Sequence, residues 1–280
     1  MGAVLALAAS VMWGTGDFLG GTLSRRAHPL AVMGSAQGLA LVGLLAVAAA
    51  TGELDAGGYL PWGVLGGLVG AVALSCFYAA LAGGTMGVVA PVAATGAAVP
   101  VIVGLVAGES PTVLQLVGIV VTVAGVILAS GPERGGDGAA QRANVRPLLL
   151  AGVAAAGFGT ALVLVAEGSE HSIAMTLVTM RAVNATISGL LVVFVVRAAA
   201  RPIRADLPTL ALIGFTDAAA NGLYGLATGT ALVSVSAVLA SLYPAVTALL
   251  AWRFHKEHLH KAQFVGVGAT LAGVALLAGG

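Results

Sequence analysis

The stretch Tyr78-Ala-Ala-Leu-Ala-Gly-Gly84-Thr85 returns later in the chain as Tyr224-Gly-Leu-Ala-Thr-Gly229-Thr230. Further matches surround it at offsets of 145 to 148 residues: Trp13-Gly14-Thr15 with Phe158-Gly159-Thr160, Leu60-Pro61 with Leu207-Pro208, and Glu109, Gln115, Gly118, Thr122 and Gly125 with Glu257, Gln263, Gly266, Thr270 and Gly273. The chain therefore contains two copies of one unit. Duplicated membrane units are typical of proteins that form a pathway between two related halves.

The composition is that of a membrane protein. Hydrophobic residues make up 59% of the chain and charged residues 8%, whereas a soluble domain has roughly a quarter charged residues. The formal net charge of +1 excludes a broad basic surface for nucleic acid. Cys76 is the single cysteine, so no disulfide can form within the chain.

Ten apolar stretches have the length of about 20 residues that a membrane-spanning helix needs. They are Ala3–Leu23, Leu30–Ala50, Leu60–Leu81, Met86–Ala107, Thr112–Ser130, Pro147–Ala166, Ile173–Val196, Leu207–Thr228, Ala231–Trp252 and Ala262–Gly280. Because five spans is an odd number, the second copy must enter the membrane from the opposite side. We therefore predict an all-α integral membrane protein with ten transmembrane helices in two inverted five-helix repeats, residues 1–130 and 147–280, joined by a polar linker, 131–146.

The positions of Lys and Arg predict the orientation, because cytoplasmic loops are rich in these residues. Eleven of the twelve fall in the loops after spans one, five, seven and nine, and none falls in the other loops. Those other loops contain Glu53, Asp55, Glu109, Glu167 and Glu170. Both termini are therefore expected on the side away from the cytoplasm.

Three charged side chains lie inside predicted spans: Asp17, Arg181 and Asp217. Each costs at least about 2.5–3.5 kcal/mol near the bilayer centre unless it has a partner or lines a wet cavity. Helical spacing places further polar residues on the same faces as these three: Trp13 with Asp17, Asn184 with Arg181, and Asn221 and Tyr224 with Asp217. Gln37 and Tyr78 add polar groups on the second and third spans.

Two interpretations of these residues remain open. They can line a central cavity, where Arg181 meets an anionic group and Asp217 or Asp17 binds a cation or proton. Alternatively, Arg181 simply pairs with Asp217, and the amides hold helices together at about 0.6 kcal/mol each. Asp17 lies close to the basic loop that follows the first span, which favours a position near the membrane interface. Pro91, Pro100 and Pro244 predict interrupted helices, either beside a binding site or as packing kinks.

Motifs for other chemistry are weak or missing from the sequence. His255, His258 and His260 fit a solvated loop better than a metal site, because no cysteine lies near them. The sequence contains no phosphate-binding P-loop, and Gly14-x-Gly16-x-x-x-Gly20 has no preceding strand and is not a dinucleotide fingerprint. We therefore expect neither a cofactor nor a bound metal, and no enzymatic activity.

Three features of the sequence resemble the EamA family of the drug/metabolite transporter superfamily. They are the five-plus-five repeat, the Trp13-Gly14 opening, and the Pro244-Ala-Val-Thr-Ala-Leu-Leu run that leads to Glu257, Gly266 and Gly273. The resemblance spans nearly the whole chain. It implies a secondary transporter, commonly an exporter of amino acids, metabolites or drugs in a bacterial inner membrane. The family supplies no universal set of site residues, so the candidate residues above rest on local reasoning.

These observations together predict a transporter of small organic solutes that uses no ATP and can couple to protons. Its substrate-binding residues are predicted to be Arg181, Asp217, Asn221, Tyr224, Tyr78, Asn184, Gln37 and Trp13, and its coupling residues Asp217 and Asp17. A passive facilitator or channel of the same fold is the alternative, and a membrane enzyme acting on lipid is a remote third. The expected partners are a small-molecule substrate, the lipid bilayer and protons, and the expected location is the cell membrane.

Overall fold

The computed structural model describes residues 1–55, 57–83, 86–129, 145–195 and 202–255, together with residues 265, 266, 268, 269, 272, 273 and 276. These residues contain no strand, in agreement with the predicted all-α class. Their helices are α1 (Gly2–Ser24), α2 (Pro29–Thr51), α3 (Leu60–Gly83), α4 (Met86–Ala94), α5 (Ala98–Val106), α6 (Val113–Ala129), α7 (Val145–Ser169), α8 (Ile173–Val195), α9 (Leu207–Thr228), α10 (Val233–Ala240) and α11 (Tyr243–His255).

Six helical segments are long and apolar enough to cross a membrane: Gly2–Ser24, Pro29–Thr51, Leu60–Gly83, Arg146–Ser169, Ile173–Phe194 and Val233–Phe254. The predicted eighth span, α9, is a helix with the predicted bounds. It is not one of these six segments, and its middle contains the polar residues Asp217 and Asn221. The predicted linker ends earlier than expected, because α7 begins at Val145. Residues 130–144 and most of the predicted tenth span lie outside the described residues.

The fourth and ninth predicted spans are interrupted near their middles. A 3₁₀ turn at Thr95–Ala97 separates α4 from α5, and Ser241 and Leu242 separate α10 from α11. Pro100 and Pro244 follow these two breaks. Because proline has no N–H and its ring clashes with the carbonyl four residues earlier, each proline disrupts the helix where the break occurs. The predicted interruptions are confirmed at these two positions, whereas α4 continues unbroken through Pro91, where an interruption was also predicted.

The two halves pack around an approximate two-fold relation. The largest helix contacts are α3 with α7 and α1 with α9, and these two pairs exchange when the repeats are exchanged. The same exchange relates α3 with α8 to α2 with α9, and α4 with α7 to α1 with α10. The pair of α2 and α8 maps onto itself. The contacts between halves are therefore those of an inverted repeat whose axis passes between α2 and α8.

Two tight helix crossings obey this relation. A Cβ atom on Gly14 of α1 would lie 2.6 Å from the carbonyl oxygen of Tyr243 and would also meet Val246. A Cβ atom on Gly159 of α7 would collide in the same way with the Gly96 carbonyl oxygen and with Val99. Glycine lets helix backbones approach closely in membranes. The packing therefore matches Gly96 of the first repeat with Tyr243 of the second.

The connections between helices gather on two opposite faces. On one face, Glu109 accepts hydrogen bonds from the backbone N–H groups of Val233 (2.6 Å) and Ser234 (3.2 Å), and the Ser172 hydroxyl donates to Glu53 (2.5 Å). We call this the acidic face. On the other, the basic face, Arg26 forms an ion pair with Asp206. The grouping is the one that the charge bias of the loops predicts.

The Arg26 ion pair changes the titration of a loop carboxyl group on the basic face. The pKa of Asp206 is lowered by the hydrogen bond from the Arg26 side chain and by a second hydrogen bond from the Ile203 backbone N–H (2.9 Å). Both donors favour the ionised carboxylate. This pair links the connection between α1 and α2 to the turn before α9, and so joins the two repeats.

Candidate functional site

A cavity lies between the two repeats at the middle of the helices. It offers about 90 Å³ to the centres of water-sized molecules, which is room for several waters. Its walls come from six helices, α1, α3, α7, α8, α9 and α11. The residues that line it are Trp13, Asp17, Gly70, Leu74, Phe158, Ala161, Leu162, Met180, Arg181, Asn184, Asp217, Asn221 and Tyr243. All three charged residues predicted from the sequence therefore face one space.

Asp217, at the centre of α9, has both carboxylate oxygens occupied. Oδ1 accepts hydrogen bonds from Trp13 Nε1 and Asn221 Nδ2, each at 3.2 Å. Oδ2 accepts one from Gln37 Nε2 at 2.9 Å and forms an ion pair with Arg181 Nη1 at 3.0 Å. These four contacts fix the orientation of the Asp217 side chain.

Arg181 and Asn184 reach the cavity from one face of α8. Both side chains are nearly buried, with 2% and 1% of their surface exposed. Arg181 Nε and Asn184 Oδ1 nevertheless have no hydrogen-bond partner within the described residues. Buried polar groups are usually paired. A donor and an acceptor beside the cavity are thus available to a bound solute or to water.

Asp17, on α1, lines the same cavity but has a different environment from Asp217. Within the described part of the chain, no hydrogen bond or ion pair to Asp17 is found, in contrast to the four donors around Asp217. If all three charged groups are ionised, Arg181 neutralises Asp217 and the charge of Asp17 remains uncompensated.

The cavity lies on the two-fold relation between the repeats. Trp13 and Asp17 of α1 correspond to Phe158 and Leu162 of α7 at an offset of 145, and Gly70 and Leu74 of α3 correspond to Asp217 and Asn221 of α9 at an offset of 147. Both members of each of these four pairs line the cavity. The two repeats therefore contribute equivalent positions, which are occupied by chemically different residues.

Two aromatic pairs flank the cavity along the membrane normal. Trp13 packs on Tyr224 with ring centroids 6.2 Å apart, on the side of the acidic face. Phe158 packs edge-on against Phe77 at 5.3 Å, on the side of the basic face. The two-fold relation exchanges these pairs. Tyr224 thus corresponds in position to Phe77, and the sequence match of Tyr224 with Tyr78 is wrong by one residue.

Three of the predicted binding residues do not line the cavity. Gln37 is buried behind Asp217 and contacts it directly. Tyr224 is fully buried and contacts the cavity only through the Trp13 ring. Tyr78 is also buried, with its ring beside Gly20 and Phe77. Helical spacing identified the elements that contribute polar groups, but it did not separate cavity-lining positions from those one layer behind.

Sequence reasoning missed the apolar and aromatic walls, above all Tyr243 and Phe158. Tyr243 begins α11 just after the break in the ninth span, and its hydroxyl has no hydrogen-bond partner among the described residues. The signal for Phe158 was present, because it aligns with Trp13 in the repeat. The alignment alone does not show that Phe158 lines the cavity, because this follows only once the two-fold axis is known to pass through the site. The described residues contain no cluster of three His, Cys, Asp or Glu side chains that could hold a metal ion.

Comparisons with known proteins agree with this architecture. The family model of the EamA-like transporter family matches residues 1–131 and 145–279, one match for each repeat. A crystal structure of a protein with 17% sequence identity superposes with a TM-score of 0.80, covering 98% of this chain and 95% of that one. This likeness shows the fold. The comparison with curated proteins finds no match.

Proposed function

Because the chain belongs to the EamA-like transporter family, we propose that it is a secondary active transporter of a small organic solute, with the central cavity as the binding site. All ten predicted spans cross the membrane in this proposal, and the basic face lies in the cytoplasm. In this proposal the protein lies in the cell membrane of a bacterium and exports its solute. The observation that supports the site best is the enclosure of three ionisable groups in one cavity at mid-membrane.

Arg181 and Asp17 have complementary roles in this mechanism. Arg181, with its unpaired Nε, faces an anionic or acceptor group of the solute, while Asp217, Gln37 and Trp13 fix the guanidinium in place. Asp17 takes up either a proton or a cationic group of the solute. Because one carboxylate cannot hold both, binding of the solute and binding of a proton compete, and this competition couples the two fluxes.

Asp17 is a better candidate for proton exchange than Asp217. Asp217 already forms one ion pair and three hydrogen bonds, and these contacts hold its side chain in place. Protonation of Asp17 would break no such contact among the described residues. The proposal therefore assigns coupling to Asp17 and a positioning role to Asp217.

The two aromatic pairs supply the barriers that alternating access requires. Trp13 and Tyr224 separate the cavity from the acidic face, and Phe77 and Phe158 separate it from the basic face. Because the pairs are related by the two-fold relation, opening one while closing the other exchanges the conformations of the two repeats. Alternating access in inverted repeats proceeds in this way.

The binding site can be tested by filling the cavity. Solutes that raise the melting temperature of the purified protein identify ligands, since a ligand that binds only the folded state stabilises it. Uptake of such a solute into proteoliposomes should disappear in Ala161→Phe, which places a ring in the cavity. Gly152→Phe on the same helix α7 is the matched control, because a Cβ atom at Gly152 would meet no other atom within 4 Å. Unchanged uptake in Ala161→Phe would exclude the cavity as the transport site.

A passive facilitator of the same fold is the second candidate. It is favoured by the saturated environment of Asp217, which makes the Arg181–Asp217 pair a fixed structural element. Accumulation separates the two candidates. An imposed pH gradient should drive the solute above its equilibrium concentration in the coupled transporter, whereas a facilitator only equalises the concentrations on the two sides.

A further inference from the structure

A second, larger recess lies on the outside of the helix bundle, between α2, α8 and α9. It offers about 530 Å³ to the centres of water-sized molecules. We call it the lateral groove. It is lined by Leu39, Ala40, Gly43, Leu44, Val47, Glu53, Ile173, Ala174, Leu177, Ala211, Phe215, Ala218, Ala219, Gly222 and Leu226. Glu53 is the only ionisable residue in this set.

The groove exists because α2 and α9 cross closely at one end and diverge toward the other. Near the basic face, a Cβ atom on Gly214 of α9 would collide with the carbonyl oxygen of Ala36 on α2. Farther along, no atom lies within 4 Å of a Cβ atom on Gly43, and a Cβ atom on Gly222 would only touch Leu177 at 3.8 Å. Small residues usually bring membrane helices together. Here they leave a slot.

The side chains at the rims of the lateral groove are large and face outward, while the side chains on its floor are small and buried. Leu39, Phe215 and Leu226 are exposed at the rims by 38%, 63% and 50%. Ala40 and Ala174 on the floor are buried. In a bilayer such a slot opens toward lipid tails, and an apolar chain fills it better than water does.

The length and position of the groove fit a single lipid leaflet. From Leu39 to the end of α2 at Thr51, 12 residues at 1.5 Å each correspond to about 18 Å along the helix axis, and Glu53 follows two residues later. One leaflet of the hydrocarbon core is about 15 Å thick, and the headgroup region adds several ångströms more. Along α2 the groove thus runs from the middle of the helix to the acidic face, where it ends at the level of the lipid headgroups, and along α9 its lining begins nearer the basic face, at Ala211.

Glu53 gives the headgroup end of the groove a negative charge. Its Oε2 accepts a hydrogen bond from the Ser172 hydroxyl at 2.5 Å, which positions the carboxylate. A carboxylate has about four acceptor sites, so capacity for further donors remains. Glu167 and Glu170 lie at the same face of the membrane, where anionic headgroups would be repelled.

We propose that the lateral groove binds one acyl chain of an aminophospholipid, with the lipid ammonium group paired to Glu53. A primary ammonium both neutralises the carboxylate and donates charge-assisted hydrogen bonds to it. A choline headgroup cannot donate these bonds, and a phosphatidylglycerol headgroup adds negative charge beside Glu53. The expected order of affinity is phosphatidylethanolamine, then phosphatidylcholine, then phosphatidylglycerol. This site is separate from the central cavity and does not depend on the proposed function.

Native mass spectrometry of the full chain, titrated with the dioleoyl forms of these three lipids, tests the proposal. We expect the first bound phosphatidylethanolamine to be preferred over phosphatidylglycerol by roughly tenfold, which corresponds to about 1.4 kcal/mol. Glu53→Gln should abolish this preference, because glutamine retains an acceptor for Ser172 but loses the charge. Gly43→Leu should fill the slot without a clash and weaken binding of all three lipids.

Gly152→Leu provides the control, since its site is as open as that of Gly43 but lies on α7, outside the groove. It should bind lipids like the wild type. Two results would overturn the proposal: a preference for phosphatidylglycerol in the wild type, or a preference for phosphatidylethanolamine that survives Glu53→Gln. Should Gly43→Leu fold poorly, Glu53→Gln alone decides the outcome, because its charge change leaves the packing intact.

Discussion

Asp217 and Asn221 on α9 occupy positions that correspond to Gly70 and Leu74 on α3, and all four residues line the central cavity. In the same way, Asp17 on α1 faces a cavity position that Leu162 holds on α7. The helices around these residues pack in matching pairs. The two repeats are therefore alike in their backbone contacts and different in the chemistry that they present to the cavity.

The two repeats share the close helix contacts but not the charged groups that line the cavity. Close helix contacts need small residues at both crossings, so Gly14 and Gly159 are retained in both halves. A single solute bound as we propose would lie asymmetrically in a two-fold cavity, so charged groups would be needed only once. The first repeat supplies the unpaired carboxylate, and the second supplies the anchored ion pair. The same asymmetry permits one acid to be fixed and the other to titrate.

The largest effect is expected from breaking the ion pair of the second repeat. Arg181→Met leaves the Asp217 carboxylate partly buried without its cation, which in proteins costs about 3–5 kcal/mol. Equilibrium unfolding in bicelles measures this loss. Met180→Leu, the neighbouring volume-conserving change, should cost less than about 1.5 kcal/mol.

Removing both charges sharpens this prediction. The double variant Arg181→Met with Asp217→Leu should regain most of the lost stability, because replacing a whole buried pair by apolar residues is often neutral. Transport of solute by this double variant should be absent. A double variant that is less stable than Arg181→Met alone would mean that the pair is not the source of the single variant's defect.

Substitution at the two equivalent crossings tests the shared architecture. Gly14→Val and Gly159→Val each force a side chain against a carbonyl oxygen of the opposing helix, and each should destabilise the protein by about 1–3 kcal/mol, the usual cost of overpacking. Gly152→Val, which faces open space, should change the stability little. A large loss in only one of the two crossing variants would contradict the two-fold packing. Unfolding free energies measured in one detergent allow the comparison.

The smallest effect concerns the pairs at the two faces, Arg26 with Asp206 and Ser172 with Glu53. Asp206 has a lowered pKa in the folded state, so its ionisation favours folding. This contribution is complete above the unfolded carboxyl pKa of about 3.9 and is lost as the pH falls through the lowered folded value. Arg26→Gln should therefore lower the melting temperature slightly at neutral pH.

The pH dependence of this variant is its internal control. The gap between Arg26→Gln and the wild type should close as the medium is acidified below pH of about 3.9, because Asp206 then loses its charge in both proteins. High salt should also narrow the gap, since Arg26 is largely exposed. A gap that persists unchanged in acid would mean that the guanidinium acts by packing and not by charge.

Most of the architecture could be predicted from the sequence because bilayer thickness and repetition constrain it strongly. Apolar length located the six helical segments that are long and apolar enough to cross a membrane, and Pro100 and Pro244 located the two interruptions. The off-by-one match of Tyr224 with Tyr78 shows the limit. One inserted residue rotates a helix by about 100°, and only packing reveals that Tyr224 lies opposite Trp13 as Phe77 lies opposite Phe158.

The candidate site was predictable in its members but not in their roles. The cost of charge in a membrane selected Asp17, Arg181 and Asp217 without any structure. Which acid is saturated depends on side chains from α1, α2 and α8 that converge on Asp217, and no spacing rule encodes that convergence. Sequence reasoning placed Asp17 near an interface, whereas it lines the central cavity.

The distinction between the two acids is tested most directly by solute flux in Asp17→Asn proteoliposomes, with and without a pH gradient. This variant should fold normally and still exchange labelled solute with unlabelled solute, but the gradient should no longer drive accumulation. Accumulation that persists in Asp17→Asn at the wild-type level would contradict the assignment of proton coupling to Asp17.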